Sequence, residues 1–225
     1  MSLLSAADVF VPNTTTTTLF ESALPVTGLD VLDMGCGVGP IAIASALGGA
    51  KSVVGVDVME EACQLARRNA ELNSVADRVT IVRSHAFRDL GEDKKFDVII
   101  SDAAGMSEEI ARRSPWYPGS IPTGGVDGTA VAVEVVENAP RYLRPGGRLV
   151  FPVLSLSRAA RIETAAQRAF GDGLTKVAEK SIPFPPDLAK DRAWLEAQQK
   201  QGLIDYTVRG SRLCWRLTIY SGQRA

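Results

Sequence analysis

Histidine, cysteine and aromatic residues are scarce in this chain of 225 residues. The single histidine, His85, excludes a His-rich metal centre, and no metal site is expected. Cys36, Cys63 and Cys214 stand far apart with no paired spacing, so neither a disulfide framework nor a zinc knuckle is indicated. No apolar run reaches the roughly 20 residues that a membrane span requires. Residues 1–10 lack the basic flank and long apolar stretch of a secretion signal, so the sequence reads as cytoplasmic. Positive charge is not in excess either. The 25 Lys and Arg face 26 Asp and Glu, which leaves no overall field to hold nucleic acid or an anionic membrane. Oligomeric state is not legible.

What is present is ordinary for a globular protein: 45% hydrophobic and 23% charged residues, at a length that suits one domain. Strand-like apolar runs at 29–34, 52–58, 78–83, 96–101, 148–153, 175–182 and 213–220 alternate with helical patterns at 40–47, 60–73, 129–143, 159–170 and 187–201. Such alternation implies a mostly parallel seven-stranded sheet with helices on both faces, an α/β doubly wound fold. Residues 1–28 form a lead-in, and 29–225 a single domain. Two interruptions stand out. The Gly- and Pro-rich stretch 103–128 is too long for an ordinary connection, and Pro145-Gly146-Gly147 is expected to stop the preceding helix.

The most informative segment is Val31-Leu32-Asp33-Met34-Gly35-Cys36-Gly37-Val38-Gly39. A strand running into a Gly-rich turn and then a helix brings bare backbone beside a ligand at the carboxyl edge of the sheet. Three features narrow the ligand. Asp33 puts a carboxylate where a pyrophosphate would have to sit, and an anion there favours a cation instead. The spacing is Gly-x-Gly-x-Gly rather than the Gly-x-Gly-x-x-Gly of nicotinamide and flavin sites. Asp57 ends the next strand, where an acid accepts hydrogen bonds from ribose hydroxyls. Together these fit S-adenosylmethionine, which joins an adenosine to a cationic amino-acid arm and carries no phosphate.

On these residues the chain resembles the class I S-adenosylmethionine-dependent methyltransferases. The resemblance runs from about residue 29 to 153 and implies a Rossmann-like methyltransferase fold. It implies a cofactor site made of Asp33, Gly35, Cys36, Gly37, Gly39, Asp57, Val58, His85, Ala86 and Asp102. The family's acid that meets adenine is absent, and Ser84-His85-Ala86 stands in its place. His85 is either an adenine contact or a half-exposed histidine at a strand end. Residues 124–150 look like the corresponding part of release-factor glutamine methyltransferases, and 31–73 resemble ribosomal-protein methyltransferases more.

In the amino-methylating branch, the fourth strand ends in Asn or Asp followed by Pro-Pro and an aromatic residue. Asp102 matches the first position; Ala103, Ala104 and Gly105 depart from the rest, which removes a stacking platform. Asp102 is therefore the candidate catalytic residue, orienting an amine or hydroxyl and taking its proton. Trp116 and Tyr117, beside Arg112 and Arg113, form either a lid over the acceptor or a pin for their own loop. Helix 187–201 is either a second pocket wall or a solvated face. The run Thr14 to Thr18 either lies over the cofactor or is an unstructured polar run. The acceptor is expected to be a nitrogen or oxygen of a small metabolite or a protein side chain, with the metabolite favoured because little length remains for a docking domain. Two rivals stand beside this enzyme: an NAD(P)-dependent oxidoreductase and a silent cofactor-binding partner subunit.

Overall fold

Val31, Leu32 and Met34 are all buried although they alternate sides, because the strand that carries them has helices on both faces. This strand, β1 (Asp30–Met34), is central. The computed structural model describes residues 1–103, 105–115, 117, 119 and 121–225. After β1 come α2 (Pro40–Leu47), β2 (Ser52–Asp57), α3 (Glu60–Leu72) and β3 (Val79–Arg83). The chain then returns through β4 (Phe96–Ser101), α4 (Glu108–Arg113), α5 (Ala130–Tyr142), β5 (Leu143–Leu154) and α6 (Ala159–Phe170). It closes with β6 (Leu174–Pro183), α7 (Pro186–Ala189), α8 (Arg192–Lys200), β7 (Thr207–Arg209) and β8 (Arg212–Gln223).

The strand order is β3-β2-β1-β4-β5-β8-β6, with β7 paired to β8. The pairs from β3 to β5 are parallel. β8 runs antiparallel to β5, β6 and β7. The order reverses between β1 and β4, so the loops after these two strands diverge and leave a crevice at their carboxyl ends. The Gly-rich turn follows β1 and Asp102 follows β4. No helix among the described residues is long and apolar enough to cross a membrane.

The α/β doubly wound architecture is as expected, with four local differences. The sheet gains an eighth strand, β7, whose three exposed residues carry no alternating pattern. β5 begins at Leu143 rather than 148, and Pro145-Gly146-Gly147 lies inside it at a register break between Phe96 and Val98. These residues form a bulge, with Gly146 at φ +76°, where proline and glycine are tolerated. The expected helix 187–201 divides into α7 and α8, because Asp191 caps the second piece by accepting from Trp194 N–H. The lead-in holds a helix, α1 (Thr14–Ala23). Asn13 caps it, accepting from Thr15 N–H at 2.7 Å, while the Thr18 hydroxyl donates back to the Thr14 carbonyl at 2.6 Å.

Candidate functional site

The turn after β1 is held by its neighbour strand: Gly35 and Cys36 N–H both donate to the Val56 carbonyl, at 2.8 and 2.9 Å. Gly35 has φ +78°, and a Cβ there would lie 2.8 Å from Ala103 Cα, so only glycine lets the two loops meet. Gly37 and Gly39 also have positive φ. Cys36 is buried, and its thiol packs against Gly55 on β2. Burial, with Asp33 and Asp57 nearby, holds that thiol well above its ordinary pKa. Cys36 therefore offers backbone, not a nucleophile.

Three carboxylates converge on this turn. Asp33 is fully buried, and its Oδ2 accepts from Ala42 N–H at 2.9 Å in the first turn of α2. The N-terminal amides of a helix after a Gly-rich turn are a ready phosphate site. Here the protein's own carboxylate occupies that place. Its other oxygen, Oδ1, has no hydrogen-bond partner among the described residues. Burial first, then the charges of Asp102 and Asp57, raise the Asp33 pKa well above the ordinary carboxylate range. Asp57 accepts from Gly37 N–H at 2.8 Å and Met59 N–H at 2.9 Å, and burial outweighs these bonds in raising its pKa. Asp102 accepts at Oδ2 from the Thr16 hydroxyl at 2.7 Å, while its N–H donates to the Met34 carbonyl. Its pKa too is raised by burial, against the Thr16 hydrogen bond.

All three line one cavity of about 410 Å³, and its described lining contains no lysine or arginine. A pyrophosphate would meet carboxylates with no cation to offset them. A sulfonium with an ammonium group suits the same lining, and the unpartnered Asp33 Oδ1 is an acceptor waiting for a cationic donor. The residues present fit S-adenosylmethionine.

Val58, His85 and Ala86 line the same cavity. Ala86 adopts φ +50°, which Ser84 maintains: its hydroxyl donates to the Ala86 carbonyl and accepts from Asp89 N–H. His85 Nδ1 lies 3.6 Å from Glu134 Oε1 on α5. Toward β4 and β8 the lining turns apolar, with Met106, Ile121, Leu154, Ile182 and Trp215. Tyr117 joins this wall, and its hydroxyl donates to the Pro122 carbonyl at 2.5 Å. Its ring meets Phe10 of the lead-in edge-on at 5.7 Å. Burial pushes the Tyr117 pKa up to about 12. Trp116 lies outside the described residues.

A protein from Methanocaldococcus jannaschii, assigned as a protein N5-glutamine methyltransferase, is 31% identical over 188 residues, 83% of this chain and 92% of that protein. The chain belongs to the S-adenosylmethionine-dependent methyltransferases. The methyltransferase also matches the ribosomal protein L11 methyltransferase (PrmA) family model over residues 13–105, the segment that carries the glycine turn. The L11 methyltransferase of Escherichia coli is 37% identical over 101 residues, but the chain spans only 33% of its length. Among solved structures, the ribosomal protein L11 methylase of Lactobacillus delbrueckii subsp. bulgaricus superposes with a TM-score of 0.58 at 20% identity, covering 96% of this chain and 82% of that one. The T. thermophilus 16S rRNA N2 G1207 methyltransferase, solved with S-adenosylmethionine and guanosine, gives 0.58 at 20% identity over 99% of this chain and 45% of that one. At these identities the likeness is of fold. S-adenosylmethionine is the cofactor.

The methyltransferase thus gathers Asp33, Gly35, Cys36, Gly37, Asp57, Val58, His85, Ala86, Asp102 and Tyr117 around one cavity, whereas Gly39, expected there too, lies outside its lining with its open side against Ala66 and Ile43. Arg112 and Arg113 are absent from its lining. Arg112 pairs with Glu109, and Arg113 pairs with Asp191 at 2.8 Å while stacking over Trp194. Helix 187–201 proves to be a covering element: Leu188 and Leu195 are buried in the main core. Asp127, in the Gly124–Gly128 turn, caps Thr129 and binds Arg161 at 2.6 Å, away from the cavity lining. Sequence reasoning missed Phe10, Ile182, Leu154 and Trp215, which carry no motif and arrive from four separate segments.

Proposed function

We propose that this methyltransferase acts on a side-chain amide nitrogen of a protein, of the glutamine kind, and that Asp102 holds the acceptor. When bound, S-adenosylmethionine supplies an electrophilic methyl group on its sulfonium. Asp33, through Oδ1, would hold the ammonium group and Asp57 the ribose hydroxyls. Gly35 and Gly37 would let the cofactor approach the backbone around Cys36, whose own N–H stays on the Val56 carbonyl, while Gly39 leaves room for α2 and α3 to pack. Val58, His85 and Ala86 would face the adenine. The lead-in 1–28 would close over both ligands, since Phe10, Asn13 and Thr14 to Thr16 line the cavity.

The observation that carries this reading is the position of Asp102. It is the one carboxylate of the described lining that follows β4, beside the apolar wall, in a cavity whose described lining holds no Lys or Arg. The Asp102 carboxylate would accept an N–H hydrogen bond, turn the nitrogen toward the methyl group and take its proton, the C–N bond replacing the methyl–sulfur bond and a neutral thioether leaving. Its raised pKa makes it a stronger base than an exposed aspartate. The lack of Lys or Arg in the lining disfavours an anionic acceptor. Similarity to a relative assigned to glutamine methylation supports an amide. One observation favours a second reading: Met106, Leu154, Ile182 and Trp215 form an apolar wall that also suits the body of a small molecule bearing an amine or hydroxyl.

The test is methyl-labelled S-adenosylmethionine with a cell extract separated by size. Label in protein, mapped to glutamine and lost with D102N, is the expected result. Label confined to the small-molecule fraction would overturn the protein reading in favour of the second.

A further inference from the structure

Thr16 and Asp102 are 86 residues apart in the chain, yet the Thr16 hydroxyl donates to Asp102 Oδ2 at 2.7 Å. We infer that Thr16 is a positioning residue for the reaction, fixing one oxygen of the Asp102 carboxylate so that the other is presented to the acceptor nitrogen. This rests on the assignment of Asp102 to the acceptor made above.

Three observations support it. Thr16 is 6% exposed, so water does not readily replace its hydroxyl as the carboxylate's donor. The hydroxyl is itself oriented: Thr16 is the third residue of α1, and its oxygen accepts from Asn13 N–H at 3.4 Å while Asn13 Oδ1 accepts from Thr16 N–H. This reciprocal cap, on a β-branched side chain with few rotamers, aims the O–H at Asp102. Finally, the Asp102 backbone is anchored by its N–H to the Met34 carbonyl on β1. A carboxylate fixed at its backbone and at one oxygen has little rotational freedom left. The cap at the start of α1 thereby reaches the reaction centre.

The titratable groups of the described lining around Asp102 are Asp33 from β1, Cys36 from the turn after it, Asp57 from β2, His85 from the turn after β3 and Tyr117 from the loop after β4, with no Lys or Arg. Asp33 is coupled to Asp102 by charge. Thr16 supplies the stabilising donor, and its loss disfavours the carboxylate form.

The test compares T16V, T16S and N13A in complex with S-adenosylhomocysteine, following aspartate side-chain carboxyl carbons by NMR across pH, with D102N identifying the resonance. T16V is expected to move the Asp102 titration upward, T16S to restore it, and N13A, which keeps the hydroxyl but removes half of the cap that aims it, to move it by less than T16V. With whichever extract fraction accepts label, T16V should lower kcat about 10- to 100-fold, the range for losing a hydrogen bond to a charged group. The acid limb of its pH profile should move to higher pH, with S-adenosylhomocysteine affinity within about threefold. T16A replaces T16V if the latter does not fold. An unmoved titration in folded T16V or T16A, or equal losses in N13A and T16V, overturns the inference. A shifted titration together with label confined to small molecules leaves Thr16 as positioner and removes only the protein acceptor.

Discussion

The two ends of the cavity are built by different means. Its cofactor end comes from a short stretch of chain: β1, the turn 35–39, α2 and β2, with backbone amides and two acids as the working groups. The end we assign to the acceptor is assembled from the lead-in, the segment after β4, β5, β6 and β8, and the groups it offers are side chains. Backbone recognition tolerates little change, because a glycine at positive φ has no substitute of the same shape. Side-chain walls can be rebuilt residue by residue while the sheet stays intact. The departure from Pro-Pro-aromatic after Asp102 fits this division: at the cofactor end the glycine turn, Asp33 and Asp57 are intact, and only the adenine acid is replaced, by Ser84-His85-Ala86.

The comparison breaks most sharply at Gly35. G35A should cost about 2–5 kcal/mol through left-handed strain and the clash with Ala103, and cofactor binding should become unmeasurable by calorimetry. G37A meets no atom within 4 Å and should cost only about 1–2 kcal/mol. Equal effects of the two would show that strain alone, not the meeting of the two loops, governs the turn. At the acceptor end, D102N should lower kcat by about 10²- to 10⁴-fold with cofactor affinity changed only a few fold. A large loss of affinity instead would place Asp102 in cofactor binding and erase the boundary between the two ends.

D57A removes the acceptor for Gly37 and Met59 N–H and should weaken cofactor binding about 10- to 100-fold, read by calorimetry. Asp33 gives a pH-dependent test. Its folded pKa lies well above the unfolded value, so the ligand-free protein binds more protons folded than unfolded. Stability contributed by the neutral form is complete below about pH 4 and declines as pH rises through the raised value. D33N should therefore melt higher than the parent near pH 7.5, by roughly 2–4 °C for each kcal/mol released, with the gap closing toward pH 4. Its cofactor affinity should fall. A parent that melts higher at both pH values would mean Asp33 is ionised and paired without cofactor. The smallest effect belongs to Arg113, half-exposed in its pair with Asp191, where R113A should cost under about 1 kcal/mol and leave turnover intact.

Much of the cofactor end was legible because its signals are local. Gly35, Gly37 and Gly39 declare positive φ, Asp33 sits two residues before them, and Asp57 ends the next apolar run. The acceptor end was legible only at Asp102 and Tyr117. Arg112 and Arg113, adjacent to Tyr117 in outlook, spend their charge on Glu109 and Asp191. The threonine run reads either as a cover for the cofactor or as an unstructured polar run, since threonine has weak helix propensity; the Asn13 cap and the burial of Thr15, Thr16 and Thr18 make it a helix, which sequence reasoning missed. Pro145-Gly146-Gly147 reads as a stop in one dimension, and only pairing with β4 turns it into a bulge.

The residue order by itself determined the alternating strands and helices, the bend that follows β1 and the acids flanking it, because those features depend on neighbours a few positions away. Folding in three dimensions decided which hydroxyl meets Asp102, that Ile182 and Trp215 share a wall with Met106, and where the two basic side chains point. Those outcomes depend on the packing of segments up to some two hundred residues apart, as between Phe10 and Trp215, and no local pattern encodes such a meeting.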